Sequence, residues 1–494
     1  MKRLFDIIWL LLFLTCTVNI TVAQQVKFNH TYGSMQFNYG RRIIEAGDRG
    51  YYIMGNVSAE EGNTQIDVIR TDSLGIILFE KTIGDGPVYW ANDFIRTADQ
   101  GFLFCGMTNK HPANGYDMFL IKTDSNINIE WQQCYGGSGW EIANSVKATK
   151  DNAYLLVGQT YSYGPANGNI YVVKTNLEGD TLWTRTFGSD SVDYASDADI
   201  LSDSTYLIGA TTNSFGHGKY DGYVLNLNKA GDTLWTKTYG EADDDILNSI
   251  SCTPDSGFVF AGTTKNYGAI DSEYWLQKFD KNNVLKWKMP EFWEIKPGEN
   301  VINEITVTDS SRYLLTGYVT EAGNGGRELT FLVFNENHIF NCSMTAGTSQ
   351  DEEGFDVLQT QDKGYCIIGY SNELGPGITN IYFIKTGNDC TYPFTSEHTT
   401  NIEELYGKEP GTGETIYPNI SSGSFYLDFV EKNSDEKCRL MVFNIWGELV
   451  LKELSVTKSG KHQIDLSSEP DGMYIIVLSS DKSSNCFRVI KSGN

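Results

Sequence analysis

Short apolar runs recur along most of the chain at a nearly constant interval. They begin at Gly50, Gly101, Ala153, Thr205, Gly257, Arg312 and Gly364, so that successive starts lie 51, 52, 52, 52, 55 and 52 residues apart. Each run has the length and the residue types of a β-strand. A fixed period of this size indicates an array of repeated supersecondary units.

Each repeat contains four strand signals separated by turn residues. One unit shows them in order: NSVKAT from Asn144, AYLLVGQT from Ala153, NIYVVKT from Asn169 and WTRTFG from Trp183. Four-stranded units repeated around an axis form a β-propeller. A β-solenoid is the alternative, but its coils are usually shorter than this repeat.

The two ends of the repeat region decide between these folds. FNHTYG from Phe28 matches the fourth strand of a unit, although no unit precedes it. The last unit stops after NIYFIKT from Asn380 and lacks its fourth strand. In a ring, the first strand completes the last blade and leaves no open sheet edge. The pattern therefore predicts an all-β fold in which residues 24–387 form a seven-bladed β-propeller, with strand 26–33 closing the last blade.

Three further segments flank the predicted propeller. Residues 1–23 have the features of a secretory signal peptide, with Lys2 and Arg3 before an apolar stretch and a small-x-small cleavage site ending at Ala23. Residues 388–413 lack alternating apolar positions and predict a linker. Residues 414–494 return to alternation and predict a small β-sandwich. Elsewhere nothing approaches the roughly 20 apolar residues that cross a bilayer, so we expect no integral membrane span after signal removal.

Both folded regions resemble known families. The order Y-x-x-x-G-x-T, D-x-F/Y-x-x-K and G-D-x-x-W-x-x-x-Y/F-G resembles the seven-bladed β-propeller repeat of secreted bacterial proteins, a family that implies no single reaction. The tail resembles the type A C-terminal sorting domain of cargo for the type IX secretion system of Bacteroidetes. The matching residues are Tyr417, Pro418, Asn419, Gly423, Phe425, Gly447, Asp465, Leu466, Gly472, Tyr474 and Lys491.

The tail resemblance implies a partner and a destination. Residues 414–494 would be recognised by the type IX secretion machinery after the chain reaches the periplasm. The protein would then cross the outer membrane, lose this domain and be released or attached to the cell surface.

Charge and aromatic content narrow the classes of ligand. The chain has 63 Asp and Glu against 38 Lys and Arg, a formal net charge of -25. Binding to a phosphate backbone needs clustered basic residues, so we expect no nucleic-acid partner.

Aromatic residues make up 13% of the chain. The regularly placed Trp131, Trp183 and Trp235 predict packing between adjacent blades.

A candidate binding face follows from unequal loops. The loops between the second and third strands are long and variable, and in an up-and-down blade they share one face of the disc with the links between blades. Binding residues are usually carried by variable loops on a rigid scaffold. The links carry an acid five residues after the aromatic-Gly pair. The candidate residues of this face are Glu141, Asp193, Asp245, Glu352, Tyr161, Tyr163, His111 and His217.

Two interpretations of this face remain open at the level of sequence. The acids and tyrosines can bind a cation or a carbohydrate, which makes calcium a candidate cofactor and a glycan or surface protein a candidate ligand. Alternatively, each acid caps its own turn or faces solvent. We predict a secreted or cell-surface binding or interaction protein.

A propeller-based polysaccharide hydrolase or lyase is the alternative function, because a pair of carboxyl groups across the disc would be invisible in sequence. The six His do not cluster, and the common nucleophile, P-loop and metal motifs are missing. The sequence therefore assigns no catalytic residue, no metal ligand and no cofactor apart from the calcium candidate.

The cysteines suggest two disulfides that export would permit. The candidate pairs are Cys342 with Cys390 and Cys438 with Cys486. Cys105 and Cys134 lie on the second and fourth strands of one blade, about 9–10 Å apart, which is too far for a disulfide.

Overall fold

The computed structural model describes two stretches of the chain. The first is residues 26–392, except 35, 59–62, 111–114, 166–167, 267–270, 290–297, 321–325 and 338–339; the second is residues 414–491, except 418–419, 422, 430–436, 445–448, 458, 471 and 480–483. Every regular element in these residues is a β-strand. The predicted signal peptide lies outside them. Within these residues no helix is long and apolar enough to span a membrane.

Strands β1 to β28 form seven antiparallel four-stranded sheets. Blade one contains β2 (Asn38–Glu45), β3 (Tyr51–Ser58), β4 (Thr64–Thr71) and β5 (Ile77–Ile83), and blade two contains β6 (Tyr89–Arg96), β7 (Phe102–Thr108), β8 (Asp117–Thr123) and β9 (Ile129–Tyr135). Blade three contains β10 (Glu141–Thr149), β11 (Ala153–Thr160), β12 (Asn169–Thr175) and β13 (Thr181–Phe187). Blade four contains β14 (Asp193–Ile200), β15 (Tyr206–Thr212), β16 (Asp221–Leu227) and β17 (Thr233–Tyr239). Blade five contains β18 (Asp245–Cys252), β19 (Phe258–Thr264), β20 (Glu273–Phe279) and β21 (Leu285–Met289); blade six β22 (Asn300–Val307), β23 (Arg312–Val319), β24 (Glu328–Asn335) and β25 (Phe340–Ala346).

Blade seven joins the two ends of the repeat region. Its first three strands are β26 (Glu352–Gln359), β27 (Tyr365–Ser371) and β28 (Asn380–Thr386), and its fourth is β1 (Phe28–Tyr32). Strand β1 runs antiparallel to β28, with Thr31 opposite Tyr382. The predicted seven-bladed ring and its closing strand are therefore confirmed.

The core consists of apolar layers between neighbouring blades. One layer combines Leu155 and Val172 of blade three with Ile208 and Leu225 of blade four, all fully buried, and Trp183 packs against it. Trp131 and Trp235 occupy the equivalent places at the next interfaces on either side. The tryptophan series packs between blades, as the sequence predicts.

Each first strand contains a β-bulge at the same position. The bulged residues are Arg41, Asn92, Asn144, Ser196, Asn248, Asn303 and Phe355. A bulge inserts one residue opposite a partner strand and re-aims the side chains beside it. The first strands of a propeller line its central channel, so the bulges place consecutive polar side chains beside this channel.

An ion pair between a buried cation and a more exposed Asp links the turn between the first and second strands to the blade in five of the seven blades. The ammonium of Lys278 in β20, which is 3% exposed, lies 2.9 Å from the carboxylate of Asp255 in that turn. The same pairing recurs at Lys122 with Asp99, Lys174 with Asp151, Lys385 with Asp362, and Arg70 with Asp48. The Lys of the D-x-F/Y-x-x-K motif thus pairs with an Asp in the turn between the first two strands of its own blade.

The cysteines follow one predicted pairing and not the other. A disulfide joins Cys342 in blade six to Cys390, with the two Cα atoms 5.7 Å apart. Cys438 and Cys486 lie on strands separated by a third strand, so that their backbones are about 9–10 Å apart and out of disulfide range. The second predicted pair is therefore wrong. Cys105 and Cys134 are free thiols, as expected.

The residues that follow β28 pack on the propeller. The side chain of Cys390 is buried there, and the Gly387 amide donates to the carbonyl of Thr391 at 3.1 Å. The Lys27 ammonium lies 3.0 Å from the carboxylate of Asp389. Residues 388–392 of the predicted linker therefore belong structurally to the propeller, and the chain divides into compact units at residue 399.

The C-terminal unit is a two-sheet sandwich. One sheet contains β29 (Glu414–Tyr417), β31 (Ser424–Phe429) and β34 (Gly460–Asp465); the other contains β30 (Ile420–Ser421), β32 (Lys437–Asn444), β33 (Leu449–Thr457), β35 (Gly472–Ser479) and β36 (Ser484–Lys491). Phe425 and Leu427 from the first sheet meet Val442 and Ile476 from the second in a buried core. This architecture agrees with the predicted sandwich.

Candidate functional site

The long loops and the inter-blade links lie on one face of the propeller, which we call the loop face. Hydrogen bonds join the two kinds of segment directly. The Glu141 amide, at the end of a link, donates to the Tyr116 carbonyl of the preceding loop at 2.6 Å. The Tyr161 amide of the next loop donates to the Trp140 carbonyl at 2.8 Å. The loop face is therefore a connected surface supported by the blades.

The four predicted acids lie beneath this face, not on it. Glu141, Asp193, Asp245 and Glu352 each begin the first strand of a blade, and each is at most 1% exposed. The Glu141 carboxylate accepts hydrogen bonds from the Gly137 amide at 2.8 Å, the Thr160 hydroxyl at 2.6 Å and the Ser162 amide at 3.1 Å. These donors belong to the link before the strand and to the loop beside it.

The other three acids make equivalent contacts. Asp193 accepts from the Ser189 amide at 3.0 Å and from the Ser214 hydroxyl at 2.6 Å. Burial raises the pKa of Asp245 and of Glu352, against the lowering effect of their hydrogen-bond donors. Of the two interpretations left open by the sequence, turn capping describes this geometry. The acids position the loops and do not form a ligand-facing ring.

The remaining candidates on the loop face have different positions. Tyr161 and Tyr163 are 45% and 41% exposed. His217 is exposed on the blade-four loop, where its amide donates to Asp221 at 3.0 Å. His111 lies outside the described residues. The tyrosines thus remain candidates for ligand contact, whereas His217 has no second catalytic group placed beside it among the described contacts.

Exposed aromatic rings cluster around the tyrosines. Trp140 is 51% exposed, and its ring meets that of Tyr116 edge-on with centroids 5.1 Å apart. Tyr163 leans on Tyr171, 5.4 Å between centroids, and its hydroxyl donates to the Gly136 carbonyl at 2.7 Å. We call Tyr116, Trp140, Tyr161 and Tyr163 the loop platform. Trp140 was not among the predicted site residues, and its only signal in the sequence is its place next to Glu141 in the link.

A second set of polar residues surrounds the central channel. One residue after each bulge, the seven blades contribute a closed ring that we call the inner polar ring. Its members are Arg42, Asp93, Ser145, Asp197, Ser249, Glu304 and Asp356. The Ser145 hydroxyl lies 3.2 Å from Asp93 and 2.9 Å from Asp197, and so bridges the blades on either side of its own. Ser249 bridges Asp197 and Glu304 in the same way, at 3.2 Å and 3.1 Å.

Two cations partly neutralise the four carboxyl groups of the inner polar ring. Arg42 lies 3.2 Å from Asp93, and the Lys147 ammonium lies 3.3 Å from Asp197. Burial raises the pKa of Glu304 to about 8, although Arg42 acts in the opposite direction. Burial also raises the pKa of Asp356. Against the effect of burial, Lys147 and Arg42 lower the pKa of Asp197. Carboxyl groups outnumber cations here, and burial disfavours the ionised form at Glu304 and Asp356.

The bulged residues form another ring nearer the loop face. Asn92 donates to the Ala143 carbonyl of the next blade at 2.9 Å. The same bond recurs from Asn144 to Ala195, Ser196 to Leu247, Asn248 to Ile302 and Asn303 to Gly354. Arg41 and Phe355 are the two exceptions, and they contact each other. Pairs of adjacent polar residues at a fixed place in the repeat are the sequence signal for both rings.

No group of three or more His, Cys, Asp or Glu suited to a metal ion occurs within the described stretches. The acids that suggested calcium are occupied by hydrogen bonds from their own turns. Calcium binding is therefore a hypothesis without a defined site.

Three of the predicted sorting residues, Phe425, Leu466 and Tyr474, lie in the sandwich core. Phe425 and Leu466 are fully buried, and the Tyr474 hydroxyl donates to the Pro470 carbonyl at 2.5 Å. The Lys491 ammonium donates to the Glu469 carbonyl, whereas Asp465 is exposed. Gly423 lies just before β31, Tyr417 ends β29 and Gly472 begins β35. Pro418, Asn419 and Gly447 are outside the described residues.

Comparison with known families identifies the role of this unit. Residues 415–492 match the family of secretion system C-terminal sorting domains. The chain thus carries a type IX sorting domain, which directs export to the cell surface or the medium and implies an origin in Bacteroidetes. The comparison with curated proteins found no match to the sequence.

Solved structures show likeness at low identity. Puromycin hydrolase matches with a TM-score of 0.48 and 10% identity over 80% of this chain, which spans 59% of that enzyme. The extracellular domain of a hybrid two-component system from B. thetaiotaomicron gives 0.41 and 9%, covering 94% of this chain and 60% of that one. Drosophila Semaphorin 1b gives 0.39 and 9%, covering 74% and 87%. At these identities and TM-scores, no substrate or partner of these proteins can be assigned to this chain.

Proposed function

We propose that this exported propeller is a carbohydrate-binding protein and that the loop platform is its binding surface. The exposed ring of Trp140, 51% accessible, is the observation that carries the proposal. Clustered apolar surface on an exported protein usually marks an interaction site. A ring held open to solvent at the edge of a rigid blade offers a flat face to the C–H groups of a sugar.

The surroundings of the platform suit a hydroxyl-rich ligand. Tyr116 supports Trp140 from one side and leaves the rest of the indole accessible. The Tyr161 amide donates to the Trp140 carbonyl, so both residues lie together on the loop face beside blade three. Tyr and Trp combine a large apolar face with a polar group, which lets them both stack on and hydrogen-bond to a ligand.

A glycan array probed with the chain from residue 24 onward tests this proposal. We expect binding to at least one neutral oligosaccharide, and Trp140→Ala or Tyr161→Ala should weaken it at least tenfold. Phe215→Ala is the matched control, because Phe215 is 41% exposed on the blade-four loop and leans on Tyr223 as Tyr163 leans on Tyr171. Retained binding in Trp140→Ala, or an array without any signal, would overturn the proposal.

The hydrolase or lyase alternative has less support. Glycoside hydrolysis requires a pair of carboxyl groups that face the substrate. Four carboxyl groups converge in the inner polar ring, where Ser145, Ser249, Arg42 and backbone amides already engage them. Release of reducing ends or of unsaturated sugars by the purified protein would revive this alternative.

A further inference from the structure

We propose a second binding site, in which Arg41 at the channel mouth holds the carboxylate of an acidic sugar. This site is separate from the loop platform and does not depend on it. It lies where blades one, two and seven meet at the end of the channel nearest the loop face. The site consists of Arg41, Tyr39, Trp90, Phe355 and Tyr370, which we call the channel mouth cluster.

Arg41 is stacked on aromatic rings. Its guanidinium carbon lies 4.4 Å from the ring centre of Phe355 and 5.5 Å from that of Trp90. Tyr39 meets Trp90 at 5.8 Å and Tyr370 at 5.3 Å between centroids, which extends the aromatic lining on the blade-one side. Tyr39, Trp90 and Phe355 are each only half-buried, so their faces remain accessible to a ligand in the channel.

The guanidinium of Arg41 has no hydrogen-bond or ion-pair partner in the part of the chain that the structure describes. Its Nε is shielded from solvent and unpaired, which is costly for a charged donor. The neighbouring carboxylate of Glu353 is already engaged by Arg327 at 3.2 Å, by the Tyr370 hydroxyl at 3.2 Å and by the Asn303 amide at 2.9 Å.

Arg41 also does not make the hydrogen bond between blades that most bulged residues make. In five blades the bulged residue donates to a carbonyl of the next blade, and the equivalent target of Arg41 is Ala91. Here Asn56 of β3 performs that task, donating to the Ala91 carbonyl at 2.8 Å and accepting from the Ala91 amide at 2.8 Å. The ring therefore closes without Arg41, and an arginine there needs another explanation.

The cluster fits a carboxylate on a flat, partly apolar molecule. A guanidinium presents parallel N–H donors that match a carboxylate in a bidentate arrangement, which an ammonium cannot reproduce. The flanking aromatic faces can pack against a pyranose ring. An acidic sugar unites both features, and a single carboxylate avoids the repulsion that an extended polyanion would meet on a chain of net charge -25.

Titration calorimetry on the chain from residue 24 to residue 494 tests the proposal. The probes are galacturonate, glucuronate and mannuronate as monosaccharides with one carboxylate each, beside their methyl esters, which keep the sugar and remove the charge. We expect at least one acid to bind and its ester to bind at least tenfold more weakly. Arg41→Asn should lower the affinity for the acid at least tenfold and make acid and ester equivalent.

Matched variants separate binding from folding. Asn occupies the bulged position in four other blades, so Arg41→Asn should keep the wild-type melting temperature. If it melts lower, Arg41→Lys keeps the charge without the planar fork and should still lose most of the affinity. Arg185→Asn is the control, since Arg185 also stacks on a tryptophan, Trp183, but on an outer strand.

Four results would overturn the proposal: no binding of any uronate, equal affinity for acid and ester, unchanged affinity in Arg41→Asn, or binding that depends on Arg41 only for a peptide with a free C-terminal carboxylate. Trp140→Ala should leave uronate binding unchanged. Failure at the loop platform and failure at the channel mouth are therefore distinguishable.

Discussion

Arg42 Nη1 lies 2.5 Å from Glu304 Oε2, although the two residues are 262 positions apart and belong to blades one and six. The same guanidinium reaches Asp93 of blade two and Asp356 of blade seven, at 3.2 Å and 3.5 Å. One side chain thus contacts carboxyl groups from three other blades. Closure of the ring depends on this contact as well as on the pairing of β1 with β28.

Replacing Arg42 by Met should destabilise the propeller strongly. The variant leaves the buried Asp93 and Asp356 without their cation, and removing one partner of a buried ion pair costs about 3–5 kcal/mol. Urea unfolding followed by tryptophan fluorescence would measure the change. In Arg42→Met/Glu304→Gln we expect less than the sum of the two single effects, because the second change removes one of the unpaired acids. Strict additivity would contradict this account of the ring.

The stability of the propeller should decrease as pH rises from about 5 to 8. Burial raises the pKa of Glu304 to about 8, so the folded state holds this proton more tightly than the unfolded state, where the group titrates near 4.5. The stabilising contribution is complete below that unfolded value and is lost as pH rises through the folded one. The slope from one such group is at most about 1.4 kcal/mol per pH unit.

Unfolding free energies at pH 5, 6.5, 8 and 9 would test this expectation. Glu304→Gln carries no titrating proton at this position and should give a flatter profile over the same range. Asp356, whose pKa burial also raises, interacts electrostatically with Glu304, so the difference between the two profiles reports on the pair. Parallel profiles for the wild type and Glu304→Gln would show that Glu304 is ionised in the folded state at all these pH values.

Much of this architecture was predictable because it is periodic. The spacing of the apolar runs counts the blades, and the orphan strand at Phe28 shows how the ring closes. The two rings beside the channel are periodic too, as in Asn92-Asp93 and Asn144-Ser145. Their hydrogen-bond partners, however, lie in the neighbouring blade. Aligning the repeats on one another shows which residues recur but not which residues of two repeats bond to each other.

The function of the loop-face acids could not be decided from sequence. The repeat places Asp193 and Glu352 at a position that was predicted to lie on the binding face. In the structure both side chains are buried beneath that face, where they cap turns. Conversely, Arg41 and Trp140 depart from the repeat and were not singled out. A residue that breaks the repeat can be interpreted only once the structure shows what replaces its usual contact. At Arg41 the usual hydrogen bond to the next blade is made by Asn56 instead.

The disulfide between Cys342 and Cys390 should contribute measurably to stability. It closes a segment with a sequence separation of 48 residues and ties the fourth strand of blade six to the chain that leaves blade seven. Loop-closure entropy for this length predicts about 4 kcal/mol. Cys342→Ser/Cys390→Ser should therefore unfold at lower urea concentration than the wild type. Cys252→Ser, at a free thiol, is the control, and equal midpoints for all three proteins would contradict the prediction.

Removal of residues 414–494 should strand the propeller in the periplasm. This deletion takes away the whole sorting-domain match at 415–492 and leaves all seven blades and the Cys342–Cys390 disulfide intact. Because the propeller has its own buried core, the truncated chain should remain folded and resist proteolysis in periplasmic extracts. Fractionation of the native host, with immunoblots of periplasm, outer membrane and medium, would locate it. The full-length chain with Trp140→Ala is the control and should still be exported, since the loop platform has no part in sorting. Display of the truncated chain at the cell surface at the wild-type level would mean that the export signal lies in the propeller itself.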